Sequence, residues 1–345
     1  MSRNRIILLL KLAVAAGLFT WLFTSGKIDF RQLEHLGDRW PWFLVVQIPL
    51  AAILFLAAYR WQLFLRAQGI RYRLWDTFAL VMIGELFNQF VVGTTGGDIV
   101  KAYAVATDHP ERRSAGVMSV FVDRAVGLFV LITVALVAIL FNWSRVMASR
   151  ELSLLALLVA AAFVASLVGG YVFYSERIRA LSIVRKLLSK LPFRSFLAKI
   201  SDAVYVYKFH PRQVIGAVVV SFGIHFLVVV VNIGLAHALI PGGFDWLSFF
   251  FLIPLAQIAM AVPINPPGAI GTAESFYALL LGMADVPEGF LICLLHRFSY
   301  YLWSLLGVVF YIRRKGRVAE AVEAARHEGR LERSSSPAKV TESSQ

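Results

Sequence analysis

Charge is scarce in this chain. Only 16% of its residues are Asp, Glu, Lys or Arg, against 59% hydrophobic, and the mean hydropathy is +0.70. A soluble domain is about a quarter charged, so there is too little polar surface here to cover a water-facing exterior. Cysteine is scarcer still. Cys293 stands alone, which excludes an intrachain disulfide and any cysteine-based metal site. No His/Asp/Glu spacing resembles a metal site, and there is no P-loop, no G-x-S-x-G element and no other nucleophile signature. The sequence therefore assigns no catalytic residue, metal or cofactor. Strands alternating every second residue are also absent, which argues against an outer-membrane barrel. What remains is a set of apolar blocks, several longer than the ~20 residues a helix needs to cross hydrocarbon. The class is an all-α polytopic membrane protein.

The blocks read as about six full spans. The first runs from Ile6 to Phe23, behind Arg3 and Arg5; its length and the lack of a small-residue cleavage site favour an uncleaved span over a signal peptide. The others run from about Trp42 to Phe64, Ser114 to Phe141, Leu152 to Tyr174, Val214 to Ile240 and Gly289 to Ile312. Between the fourth and fifth, residues 175–212 hold nine Lys/Arg. Ile178, Leu181, Val184, Leu188 and Leu191 fall there at helical spacing, so the linker reads as an amphipathic helix on the membrane surface or else a solvated loop. Residues 1–315 form the transmembrane domain and 316–345 a polar, Ser-rich tail expected to be disordered.

Two apolar stretches are broken. Thr77 to Val92 is followed by Gly93-Thr94-Thr95-Gly96-Gly97-Asp98 and a short helix to about Ala106. Leu247 to Val262 is followed by Pro263 through Gly271, then a helix from Thr272 to Met283. Such arms are too short for comfortable spans and suit re-entrant hairpins, whose irregular turns must face protein or a cavity.

The net charge of +13 does not indicate nucleic-acid binding, because the basic residues collect between apolar blocks, as the positive-inside rule expects. With the N-terminus in the cytoplasm, the Arg60–Arg73 cluster, Arg112 and Arg113, the basic linker and Arg313-Arg314-Lys315 all fall inside, as do both termini. The Ser25–Pro41 loop falls outside, and so, less comfortably, does the loop with Arg145 and Arg150. The two hairpins then enter from opposite sides. Each carries a glycine and an acid at its second arm (Gly96-Gly97-Asp98; Gly271-Thr272-Ala273-Glu274) and each is followed by an arginine in the next span. Arg124 comes 26 residues after Asp98, and Arg297 comes 23 after Glu274. This is the pattern of an inverted repeat.

The candidate site residues are Glu85, Gly96, Gly97, Asp98, Lys101, Arg124, Glu274 and Arg297. Each arginine would cost ~2.5–3.5 kcal/mol at the membrane centre, so neither should face lipid unpaired. They either close internal salt bridges (Arg124 with Asp98 or Glu85, Arg297 with Glu274, Asp123 being a further option) or bind an anionic headgroup. Lys101 shares a helical face with Asp98. Asp98 and Thr272 read as N-caps of buried helix starts, where free N–H groups favour anions. Glu274 reads as a first-turn acid, a proton carrier or a partner for a cationic headgroup. His225, His237 and His296 read as packing residues on apolar spans.

These residues together resemble the transmembrane region of lysylphosphatidylglycerol synthases, a family that includes stand-alone flippase-like proteins. The resemblance rests on Asn88-Gln89-Phe90 to Gly96-Gly97-Asp98 with Lys101, on Asp123-Arg124, on Pro267-Gly268 to Gly271-Thr272-Ala273-Glu274, and on Arg297 with Tyr300-Tyr301. It covers roughly residues 5 to 315. It implies a bacterial-type inner-membrane translocase that moves an anionic lipid or lipid-linked precursor between leaflets. Lys101 stands where the family leads one to expect arginine, which weakens bidentate phosphate binding there. Nothing after Val318 suits an aminoacyl-transferase domain, so no synthase activity is expected. Two other readings stay open: a membrane enzyme acting on a lipid-linked substrate, and a non-transporting accessory subunit of an envelope-lipid pathway. The lipid is the expected partner; homo-oligomers and pathway enzymes are left open.

The charge distribution predicts that Ser189 is cytoplasmic and Gly37 external. In a Cys293→Ala background, an impermeant thiol reagent applied to intact spheroplasts should label Gly37→Cys and spare Ser189→Cys; labelling at position 189 would reverse the topology.

Overall fold

A computed structural model describes residues 34–90, 96–174, 205–261 and 271–314. The first span, the turns at 91–95 and 262–270, linker residues 175–204 and the tail lie outside the described residues. Among the described residues the chain is helical, with no strand. In chain order the helices are α1 (Glu34–Val45), α2 (Gln47–Ala67), α3 (Leu74–Phe90), α4 (Gly96–Asp108), α5 (Arg113–Phe141), α6 (Trp143–Ala148), α7 (Arg150–Tyr174), α8 (Pro211–Leu239), α9 (Trp246–Ala261), α10 (Thr272–Gly282) and α11 (Gly289–Ser304). Five stretches are long and apolar enough to cross a bilayer: Leu36–Ala67, Pro110–Phe141, Arg150–Val172, Pro211–Leu239 and Gly289–Arg314. The protein is a multi-pass helical membrane protein.

One boundary differs from the sequence reading. Residues 34–41, read as part of an external loop, are helical, and α1 kinks at Arg39 (φ −115°, ψ 16°) two residues before Pro41. The reason lies in the arginine. Its Nη1 donates to the carbonyls of His237 (3.2 Å) and Ile240 (2.9 Å), and its Nη2 to Pro241 (3.2 Å). These are the orphan acceptors at the end of α8, so Arg39 caps that helix from outside. Trp42 then stacks on His237 at 4.8 Å.

Outer surfaces are apolar. Leu154, Leu157, Leu158, Val164, Leu167 and Val168 on α7 are all exposed, an arrangement untenable in water and ordinary against lipid chains. The interior is filled by Trp61, Phe64, Phe249, Tyr277 and Phe290, all fully buried.

Packing repeats itself. At the centre α2 lies along α8. Around them, α2 packs on α3 and α5, while α8 packs on α9 and α11; α3 meets α4 and α4 meets α5, while α9 meets α10 and α10 meets α11. Across the two groups, α5 touches α8 and α9, and α11 touches α2 and α3. Exchanging α2–α5 for α8–α11 in order returns the same neighbours. The arms α4, α9 and α10 have 13, 16 and 11 residues. At 1.5 Å per residue they reach about 20, 24 and 17 Å, short of ~30 Å of hydrocarbon.

Glycine makes the first pair of arms possible. A Cβ on Gly97 would lie 1.9 Å from the Gly84 carbonyl oxygen, so α3 and α4 touch backbone to backbone. Gly97→Ala should force the arms apart and lower stability by about 1–3 kcal/mol, read as a drop in melting temperature in detergent. Gly169→Ala, with nothing within 4 Å, should leave the melting temperature unchanged or slightly raised.

Candidate functional site

The first charged cluster is assembled where α4 begins. The Gly97 N–H donates to Asn88 Oδ1 at 2.8 Å, which ties the start of α4 to the end of α3. One residue on, Asp98 receives Arg124 of α5 in a two-bond grip, Nε to Oδ2 at 2.8 Å and Nη2 to Oδ1 at 2.9 Å. Lys101, one turn further along α4, places Nζ 2.9 Å from Oδ1 of the same carboxylate. Its ammonium also sits over the Trp61 ring, 5.3 Å from the centroid. One carboxylate therefore serves two cations. Glu85 of α3 lies within electrostatic reach of Arg124, and makes no ion pair or hydrogen bond among the described residues.

The second cluster sits at the start of α10. Gly271 adopts φ +83°, a left-handed conformation that favours glycine. Its N–H donates to Glu274 Oε2 at 2.8 Å, while Oε1 of the same carboxylate lies 2.9 Å from Arg297 Nε of α11. Glu274 thus caps its own helix and holds the arginine at once. Both expected pairs form, from equivalent elements of the two packing groups.

Their surroundings are unequal. The Arg124 and Asp98 side chains are 48% and 18% exposed, against 12% and 4% for Arg297 and Glu274. A half-open guanidinium on a bilayer-spanning helix has to look into a polar cavity or a headgroup rather than lipid tails.

Two capping assignments are corrected. Asp98 is the third residue of α4 rather than its N-cap, and its carboxylate holds Arg124 and Lys101. Thr272 is the first residue of α10, and Gly271 stands at the cap. In both helices an acid stands at the third position and holds an arginine from the next span. The histidines pack as expected where hydrogen bonds are seen: His225 Nε2 meets the Gly127 carbonyl at 3.2 Å and His237 Nδ1 the Ile233 carbonyl at 2.9 Å. His296 stacks obliquely on Tyr300 at 5.3 Å. No group of three or more metal-ligating side chains occurs among the described residues.

A third ion pair was not anticipated. Arg60, read with the cytoplasmic basic cluster, is buried inside the bundle. Its Nε and Nη2 donate to Asp123 Oδ1 and Oδ2 at 2.8 and 3.0 Å, and its Nη1 to Ser221 Oγ at 3.2 Å. Ser221 in turn donates to the Ala217 carbonyl at 2.8 Å. Three helices, α2, α5 and α8, meet on this one guanidinium. The signal was present: Arg60 lies 14 residues into an apolar helix, and Asp123 immediately precedes Arg124 with no other partner. Gly127 makes room for it, since a Cβ there would approach Arg60 Nη1 to 2.9 Å.

Because this pair is enclosed, removing one member strands a charge. Arg60→Gln or Asp123→Asn alone should each cost about 3–5 kcal/mol, with Arg60→Gln/Asp123→Asn recovering most of it. Melting temperatures of the three variants in one detergent would check this. Single variants that melt like the wild type would remove the pair from the stability of the bundle.

Comparison with known proteins supplies one match. The model of the lysylphosphatidylglycerol synthase TM region covers residues 8–307. No curated protein and no solved structure matches the chain. The matched stretch includes both broken arms, the three ion pairs just described and every candidate site residue. By that coverage the chain belongs to the family of the lysylphosphatidylglycerol synthase transmembrane region.

Proposed function

We propose that the protein moves a lipid with an anionic, phosphate-containing headgroup between the leaflets of a bacterial-type inner membrane, without hydrolysing ATP. The half-open Asp98–Arg124 pair with Lys101 beside it carries this reading. A guanidinium that releases its carboxylate normally leaves a buried charge behind. Here Asp98 keeps Lys101 at 2.9 Å when Arg124 turns to a phosphate, so the exchange strands nothing. Glu274 has a weaker fallback of the same kind in the Gly271 N–H. Each arginine can therefore pass between an internal acid and a headgroup, for which its planar fork is well shaped.

The repeated packing supports a path built from two units. Entry of the hairpins from opposite sides follows from the charge-based topology, and alternating access from either side is the behaviour such a repeat allows. One open and one closed pair suit a state accessible from a single side. Membership of the family agrees with a lipid-handling role.

The test uses purified full-length protein in liposomes, following acyl-labelled phosphatidylglycerol by its accessibility to dithionite. Wild type should expose inner-leaflet label within the assay, with no nucleotide added. Arg124→Gln, which leaves Asp98 paired with Lys101, and Arg297→Gln/Glu274→Gln should each stay folded by melting temperature and each lose lipid movement. Normal movement by either folded variant excludes that arginine from the mechanism and leaves its ion pair a purely structural bridge.

A further inference from the structure

At the basic end of the bundle, the start of α3 with the segment before it, the far end of α4 and residues 310–314 surround a cleft. Its base is built from fixed polar contacts. Asp108 accepts the Tyr72 hydroxyl at 2.6 Å and forms an ion pair with Arg314. Its wall is aromatic: Trp75 stacks on Phe78 at 5.3 Å and forms a T-shaped pair with Phe310 at 5.9 Å. Trp75 nevertheless stays 62% exposed. Two charges at the mouth, Asp76 and Arg313, are exposed and have no partner among the described residues.

The position of the cleft limits what can fill it. Leu306, Val309 and Ile312, on the same stretch as Phe310 and Arg313, are exposed and apolar, as befits a helix in contact with lipid. Tryptophan favours the depth where acyl chains meet headgroups. The ligand is thus a lipid presenting its headgroup. Its charge follows from the lining. Arg314 is engaged by Asp108, so one base and one acid remain free, beside an open indole face. A phosphate suits the guanidinium, and an ammonium suits the carboxylate and the indole face.

We propose that this cleft binds the headgroup of a zwitterionic aminophospholipid, with its phosphate on Arg313 and its ammonium on Asp76 against Trp75. A headgroup bearing only negative charge meets two carboxylates there and a single free base, so it binds less well. The site is distinct from the Asp98–Arg124 cluster, lying ten residues away along α4, about 15 Å. It does not depend on lipid movement.

Native mass spectrometry of the full-length protein in detergent tests this, with dioleoyl-phosphatidylethanolamine titrated against dioleoyl-phosphatidylglycerol. The ethanolamine lipid should bind more tightly. Arg313→Gln should weaken it about five-fold, the effect of one basic residue at a lipid surface. Asp76→Asn should weaken the ethanolamine lipid and remove the preference over phosphatidylglycerol, while Asp76→Glu, which keeps the charge, should retain the preference. Melting temperatures without added lipid distinguish a lost contact from lost folding. An unchanged preference in folded Asp76→Asn overturns the proposal, since that variant leaves the Arg124 and Arg297 sites intact.

Discussion

A guanidinium inside a bilayer must find a carboxylate, a polar cavity or a headgroup, and this bundle is arranged around three that do so differently. Arg60 is fully enclosed, gripped by Asp123 and steadied by Ser221. Arg297 is nearly enclosed with Glu274, and Arg124 stands half open with Asp98. The gradient matters because desolvation sets the cost of changing partners. Arg60 and Asp123 join α2, α5 and α8 and have nowhere else to go. Arg124 and Arg297 join a short arm to the span that follows it, so a change of partner there would alter how the arm sits. The same chemistry makes a fixed joint in one place and, on the proposed function, an exchangeable contact in two others.

Glycine serves the start of the second arm differently in the two units. Gly97 is required by a close backbone approach to Gly84, with its N–H tied to Asn88. Gly271 is required by its positive φ, and its N–H is tied to the acid itself. In the first unit the acid takes a second cation, Lys101. In the second the acid is spent partly on its own helix and takes one. The sequence similarity of the two units therefore hides a difference in how readily each acid can let its arginine go.

Much of this was legible from the sequence because hydrocarbon imposes strict rules. Span positions follow from apolar length, and the boundaries of α5, α7 and α8 fall within a few residues of the reading. The pairs Asp98–Arg124 and Glu274–Arg297 were legible because an arginine in a span demands an acid, and an acid within three residues of a glycine recurred in each broken stretch. Arg60 was misplaced because it lies in the same stretch as Arg66, Arg71 and Arg73. Charge counting along a chain cannot separate a residue that reaches the surface from one seven residues from the helix end that turns inward. The partner Ser221 lies 161 residues away, and no local pattern announces it. Helical structure at 34–41 was missed for a related reason: what holds Arg39 is the end of α8, some 200 residues distant.

The inequality of the two acidic sites bears on what the repeat can do. Two identical units would place identical charges on both sides of the centre and give no preference for which pair opens first. Here the neighbours of α2–α5 and α8–α11 correspond, while the chemistry at corresponding points does not. Were Arg124 to leave, Asp98 would keep a full positive charge; Glu274, among the described residues, would keep a backbone N–H. A neutral dipole compensates a carboxylate less than an ammonium does, so release of Arg297 is the costlier step. The exposure pattern runs in the same direction, the cheaper pair being the open one. A path through such a bundle would have one side that opens with little penalty and one that opens only when something else, such as a headgroup on Arg297, repays the exchange.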